Sequence, residues 1–203
     1  MKLLDAYTKL RKLNLPAIQT QDAAAYLNIT VIHANKILSR LADAKQLIHL
    51  KHGTWIFSDT DPLALPNFLT APFPAYVSLQ TALYYHGMIS QIPSIIYAVS
   101  LARTRVYKTP LSTISVHHVQ PSFFFGYEQK NNGLLKIAIP EKALIDILYL
   151  SPTKSRLFHT LPELELPQSF RIAEAKKIIN KISSPGRKTL VERRFFEFLQ
   201  KVD

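Results

Sequence analysis

Thr30-Val31-Ile32-His33-Ala34-Asn35-Lys36-Ile37-Leu38-Ser39-Arg40-Leu41-Ala42-Asp43-Ala44, followed two residues later by Leu47-Ile48-His49-Leu50-Lys51-His52-Gly53-Thr54-Trp55-Ile56-Phe57, is the stretch whose reading decides the fold. In the first run Ala34, Ile37, Leu38 and Leu41 recur at intervals of three and four, which is the spacing of one helix face. Ile32, Asn35, Lys36 and Ser39 point the other way, with His33 and Arg40 at the flank. The Thr30 hydroxyl can accept a free backbone N–H, so a helix is expected from there to about Ala44. In the second run apolar residues alternate on both sides of His52-Gly53, which predicts a hairpin with a tight turn.

Upstream, Leu3, Leu4, Tyr7, Leu10 and Leu13 form one stripe, predicting a helix that Pro16 ends. Thr20 is expected to cap a short, Ala-rich helix over Gln21–Leu27, with Asp22 near its positive end and Asn28 as its left-handed stop. Three short helices and a glycine-turned hairpin are the order of a winged helix-turn-helix, assigned here to residues 1–58. In that module the third helix enters the major groove, where base edges present distinguishable donor and acceptor patterns. Asn35 suits adenine, Arg40 or Lys36 suits guanine, and Ser39 suits several bases. Thr30 and the N–H groups at the helix start suit a phosphate. At the wing tip, Lys51 and Thr54 offer a cation and a hydroxyl to the adjacent backbone. The expected DNA contacts are therefore Thr30, His33, Asn35, Lys36, Ser39, Arg40, Lys51, His52 and Thr54.

Charge points the same way. The chain carries 25 Lys and Arg against 14 Asp and Glu, a formal +11, which favours a polyanionic partner. Residues 1–58 hold eight Lys and Arg against three Asp and Glu, so a net +5 falls on under a third of the chain. An apolar fraction of 47% is that of a packed protein. The lack of cysteine excludes disulfides, cysteine nucleophiles and Cys-type zinc sites, and suits a reducing cytoplasm. No signal-peptide core precedes Lys9, Arg11 and Lys12, and no apolar run nears the roughly 18 residues of a membrane span. The expectation is a cytoplasmic chain with no membrane partner.

Asp59-Thr60-Asp61-Pro62 breaks the pattern and marks the expected domain boundary, with residues 59–203 forming a second unit. Each side has its own apolar periodicity and is expected to bury its own core. Beyond the break, Ser78 is expected to cap a helix over Leu79–Tyr85 closed by Gly87. Strands are expected at Ile95–Leu101, at Ser112–Gln120 with one face exposed, at Ser122–Glu128 and, after the turn Asn131-Asn132-Gly133, at Leu134–Ile139. Pro140 starts a helix over Glu141–Leu150 with Ala143, Leu144, Ile147 and Leu150 on its apolar face. Helices over Phe170–Ile182 and Leu190–Val202 close the chain, the last with Thr189 and Glu192 at capping-box spacing. The fold class is α+β: a winged helix-turn-helix, then a mixed α/β domain with a helical tail.

From Pro74 to Ile89, and again through Gln91-Ile92-Pro93, Arg103-Thr104 and Ile139-Pro140-Glu141-Lys142-Ala143-Leu144-Ile145-Asp146, the chain resembles the AbiEi family. These are antitoxins of type IV, AbiE-type toxin–antitoxin systems. The N-terminal layout, including Gly53-Thr54-Trp55, also fits, so the resemblance covers about residues 1–150. It implies two jobs. The winged helix would repress its own operon by binding operator DNA, and the C-terminal domain would counter a co-expressed nucleotidyltransferase-like toxin. The basic residues Arg103, Arg105, Lys108, Arg171, Lys176, Lys177, Lys181, Arg187, Lys188, Arg193 and Arg194 would extend the DNA footprint, meet an acidic toxin surface or simply face solvent.

Catalysis and cofactors are not expected. His117 and His118 are neighbours on a predicted strand, so their side chains face opposite ways and do not readily share an ion. No His-Glu-x-x-His, Walker loop or Gly-x-Ser-x-Gly occurs, and five glycines leave few phosphate-cradling loops. Glu141 and Asp146, five apart on one helix, are poorly spaced for holding a divalent cation. Two other readings remain open: a ligand-responsive winged-helix regulator without antitoxin activity, and a winged helix used for protein contacts.

Overall fold

Helical periodicity at the N-terminus becomes α1 (Leu3–Lys12), α2 (Thr20–Leu27) and α3 (Val31–Asp43) in the computed structural model, which describes residues 2–131, 133–151 and 163–202. Asn28 stops α2 in the left-handed region at φ 53°, and the Thr30 hydroxyl accepts from the His33 N–H at 3.3 Å. The hairpin forms as β2 (Leu47–Lys51) and β3 (Thr54–Phe57), with Gly53 at φ +67° in its turn. A third strand, β1 (Ala17–Gln19), was not expected. It pairs antiparallel with β3, giving the sheet order β1-β3-β2. Ala6, Leu10, Ile18, Ala34, Leu38, Leu41, Trp55 and Phe57 share one buried cluster between these helices and the sheet.

The rest of the chain builds a second sheet from β4 (Ala75–Val77), β5 (Ile96–Ser100), β6 (Arg105–Lys108), β7 (Thr113–His118), β8 (Tyr127–Lys130) and β9 (Leu135–Ala138). Its order is β6-β7-β5-β4-β9-β8, with β5–β7 and β4–β9 parallel and the other pairs antiparallel. Four helices accompany it: α5 (Leu79–Tyr85), α6 (Pro140–Leu150), α7 (Ile172–Asn180) and α8 (Pro185–Val202), while the short α4 (Leu65–Leu69) leads into β4. Helix α6 packs against α5, α7 and α8, so even its Glu141, Lys142 and Asp146 are buried. The chain is α+β, with a helical N-terminal region and a helical tail, as its periodicities imply. No helix among the described residues is long and apolar enough to cross a membrane.

Several local expectations give way to tertiary context. β7 lies between β5 and β6 and buries four consecutive residues, so it has no exposed face of the kind that alternation suggests. Ser122 and Phe123, expected to start a strand, instead lie in a 3-10 turn over Pro121–Phe123, and pairing begins only at Tyr127. Helix α8 starts at Pro185, so Thr189 lies inside it and donates back to the Pro185 carbonyl at 3.1 Å instead of capping. Neither Thr20 nor Ser78 caps a helix, because each hydroxyl is held by a remote partner. The Asn131–Gly133 turn does join β8 to β9, although Asn132 lies outside the described residues.

The break at residues 59–62 becomes a turn in which the Asp61 carboxylate accepts from the Leu63 N–H at 2.9 Å. Each side buries its own cluster, but the two meet at the hairpin. Leu50 and Ile56 of the hairpin belong to the larger cluster around the second sheet, and Ala17 and Ile48 pack against it. All four residues of β3 are buried as a result. A strand normally keeps one face wet when nothing covers it; here the helices cover one face and the second unit the other.

At the centre of the second unit lies a fully buried ion pair between Lys142 and Asp146, one turn apart on α6. The second carboxylate oxygen of Asp146 accepts from the Tyr76 hydroxyl at 3.0 Å and from the Ser78 hydroxyl at 2.7 Å. The Lys142 ammonium lies 3.7 Å from the centroid of the Phe123 ring, and Gly126, at φ +76°, passes directly over its stem. A Cβ on Gly126 would come within 3.1 Å of two Lys142 carbons, so this close approach requires glycine.

Breaking such a pair from one side leaves an uncompensated charge in the core. Asp146→Ala should cost about 3–5 kcal/mol in urea unfolding, whereas Lys142→Met with Asp146→Leu should recover at least half of that. A single-variant loss below about 1 kcal/mol would remove the pair from its central role. His117, on β7, provides a second test. Burial lowers its pKa from 6.5 to about 4, and Ser115 Oγ lies 2.9 Å from its Nε2. The unfolded chain then takes up a proton that the folded one refuses, so stability is full above pH 6.5 and falls as the pH drops toward 4. By pH 5 the loss should reach about 2 kcal/mol relative to neutral pH, and His117→Gln should flatten that part of the profile.

Candidate nucleic-acid interface

An alternating α3 sequence has a buried face and an exposed one, and the exposed one borders a groove. Val31, Ile32, Asn35, Lys36 and Ser39 form one wall of this groove. His49, His52, Gly53 and Trp55 of the hairpin form the other, and Gln19 to Asp22 at the start of α2 close one end. The groove encloses about 870 Å³ and opens to solvent.

Its two walls are tied together by a short hydrogen-bonded chain. The Thr20 N–H donates to the Gly53 carbonyl at 2.8 Å, and the Trp55 indole N–H donates to the Thr20 hydroxyl at 3.0 Å. The Thr54 hydroxyl donates to Gln19 Oε1 at 3.1 Å. These bonds fix the hairpin turn against the first turn of α2, and α2 packs on α3. The His49 and Trp55 rings lie 4.5 Å apart between centroids, tilted by 45°, which stiffens the hairpin wall further.

Of the nine residues expected to touch DNA, the groove brings together Asn35, Lys36, Ser39 and His52. His33 and Arg40 are exposed on α3 outside it, and Thr30 is exposed at the helix start with its hydroxyl engaged by the His33 N–H. Thr54 is only 2% exposed, and its hydroxyl serves the Gln19 contact. Lys51 turns away altogether. Its ammonium donates to the carbonyls of Leu69 at 3.3 Å and Ala71 at 3.5 Å, and burial pushes its pKa down. It ties the hairpin to the segment after α4 instead of reaching past the turn.

Sequence reading passed over Gln19, Gln21, Asp22 and His49 in this groove. The period-two pattern of β2 could have placed His49 on the face opposite Leu50; β1 is too short for any periodic signal to place Gln19. The electrostatics inside the groove are mild, with Lys36 and Asp22 both in its lining. Chemically, the arrangement offers a carboxamide, an ammonium, a hydroxyl and imidazoles from two rigid elements, a set suited to hydrogen-bonding an extended polar partner.

Among the basic residues of the second unit, Arg171, Lys176 and Lys181 are exposed around α7, the two lysines lying over the rings of Phe196 and Phe125. Arg187 donates to the Tyr149 carbonyl at 2.6 Å and Arg194 donates to the Ser151 hydroxyl, so both hold the tail against α6. Lys177, Lys188 and Arg193 pair within their own helices with Glu174, Glu192 and Glu197. Arg103, Arg105 and Lys108 are exposed around edge strand β6. His117 and His118 face opposite ways, the first buried and the second exposed with its Nδ1 3.1 Å from the Ala102 carbonyl. The chain matches no known family model and no characterised protein at a significant level.

The Lys51 geometry yields a discriminating test. Lys51→Met should lower the unfolding free energy by about 1 kcal/mol, the net worth of a partly buried charged hydrogen bond. It should leave the salt dependence of any DNA binding unchanged. A slope reduced by about one unit, with stability intact, would return Lys51 to the phosphate backbone.

Proposed function

We propose that the protein is a DNA-binding transcriptional repressor that also acts as the antitoxin of a type IV toxin–antitoxin pair. One observation carries the first half: the exposed face of α3, bearing Asn35, Lys36 and Ser39, stands beside a hairpin pinned to α2, in a chain of net charge +11. That is the element order and the exposed chemistry of a winged helix presenting its third helix to a major groove. The module would bind operator DNA of its own operon.

The second half rests on the resemblance to AbiEi antitoxins. The segments that carry it, Tyr76-Val77-Ser78 and Pro140 to Asp146, meet at one carboxylate, since Tyr76 and Ser78 both donate to Asp146. Those residues serve the fold of the second unit. Toxin contacts would fall on its surface, where Arg103, Arg105 and Lys108 are exposed. A cleft of about 230 Å³ lined by Arg11, Asp59, Asn131 and Leu135 would be the place for an effector in a ligand-responsive regulator. A second cleft of about 350 Å³, lined by His118, Gln120, Phe123, Tyr149 and Arg187, would serve as well and falls within the roughly 300–1,000 Å³ of most ligand sites, so the antitoxin reading rests on the resemblance and not on cavity size.

Two measurements test this. Binding to DNA from upstream of its own gene should weaken steeply with salt, and Asn35→Ala should lose about 1–3 kcal/mol at the specific site while retaining non-specific binding. Co-expression with a neighbouring nucleotidyltransferase-like gene should relieve the growth arrest which that gene causes alone. Relief that vanishes with Asn35→Ala would mean that protection runs only through repression, leaving a regulator without antitoxin activity.

A further inference from the structure

Ile32 is a large aliphatic residue in the first turn of α3, yet it is 74% exposed. Single exposed apolar residues are common on protein surfaces, so exposure alone carries little weight. Its position carries more. Ile32 lies three residues before Asn35 and four before Lys36, on the same helix face, and all three line the groove. A rise of 1.5 Å per residue separates Ile32 and Asn35 by about 4.5 Å along the axis, close to one base-pair step of about 3.4 Å.

In the reading proposed above, this face lies against base edges in a major groove. Those edges present donors and acceptors and a single apolar group, the C5-methyl of thymine. Any other base at that place would set the Ile32 side chain against an exocyclic amine or carbonyl oxygen and strip it of water. We propose that Ile32 reads a thymine methyl on the base pair beside the adenine that Asn35 reads, so that α3 selects a step made only of A·T pairs. Val31, 50% exposed, lines the same groove. Lys36 lies one turn further along and is free for a phosphate. The proposal rests on the DNA-binding reading, and its test separates the two.

The full-length chain is first used to select duplexes from a random library. Each thymine of the selected site is then replaced by deoxyuridine, which removes the methyl and nothing else, and binding is followed by fluorescence anisotropy. At one thymine next to an adenine, the replacement should weaken wild-type binding about fourfold, the worth of one buried methyl at about 0.8 kcal/mol. Ile32→Ala should bind the thymine and uridine duplexes equally. Because Ile32 is 74% exposed, its removal should leave the thermal unfolding midpoint where it is. Uridine duplexes bound as tightly as the thymine ones would overturn the inference and leave the DNA-binding reading intact. The same uridine penalty in Ile32→Ala would assign the methyl to another residue and overturn it too. Failure of the library to yield any preferred sequence would overturn both.

Discussion

The buried Lys142–Asp146 pair is the constraint on which the second unit depends. Taking two charges out of water costs several kcal/mol each, and their attraction offsets this only where the remaining polar atoms are satisfied. Here they are. One oxygen of Asp146 meets Lys142, and the other receives the hydroxyls of Tyr76 and Ser78. Burial pulls the Lys142 pKa down, and Asp146 opposes it. The arrangement can be met only if the end of β4, the start of α5 and the middle of α6 converge, and only if the segment at Phe123 to Gly126 crosses over the lysine stem. Apolar packing would tolerate a slide of α6 along the sheet; this cluster does not. Tyr76 carries the constraint onward, stacking on Tyr127 at 5.0 Å and so binding β8 to the same centre.

The hairpin inherits its position from that unit. With Ile56 and Leu50 in the larger core, β3 serves as the common wall of both hydrophobic clusters. Two charged contacts reinforce the join from opposite sides. Lys51 donates to the carbonyls of Leu69 and Ala71, and Arg11 pairs with Asp59 at 2.5 Å while lying over the Phe57 ring at 4.3 Å. The Arg11 pair is largely exposed and therefore contributes little by itself, but its stacking on Phe57 orients α1 against the strand. Orientation of the α3 groove is thus coupled to the second sheet through the hairpin, not left to a flexible linker.

How much of this was legible in the sequence follows from the range of each signal. Helices α1 to α3 and the hairpin were readable because periodicity, the Thr30 cap, the Asn28 stop and Gly53 are all local. The three-residue strands β1 and β4 and the four-residue β6 were not, since a run that short carries no period and owes its pairing to distant partners. Thr20 and Ser78 were read as caps because a hydroxyl before a helix usually serves the nearest N–H. Their actual partners, Trp55 and Asp146, are 35 and 68 residues away. The contacts of Lys51 were hidden for the same reason: the carbonyls that hold it lie 18 and 20 residues downstream. Asn35, Lys36 and Ser39 were legible as an exposed face from helix geometry alone, whereas the opposite wall of the groove required the hairpin to be placed in space.

With Lys51 withdrawn, the groove holds one lysine, Lys36, against one aspartate, Asp22. Such a site is well built for discrimination and poorly built for raw affinity, because each neutralised phosphate contributes a salt slope of only about −0.9. Affinity for DNA would have to come from outside the groove. Arg40 and His33 flank it on α3, and the first 58 residues carry a net +5 of the chain's +11. The remaining positive charge is spread over the second unit, where Arg187 and Arg194 are consumed by contacts to α6 and its end. The cations left exposed at β6 and around α7, among them Arg103, Arg105, Lys108, Arg171, Lys176 and Lys181, would be free to meet a second polyanion or an acidic protein surface. On the proposed reading, base reading and charge-driven capture would fall on different residues, and either could be altered by substitution without disturbing the buried pair that fixes the fold.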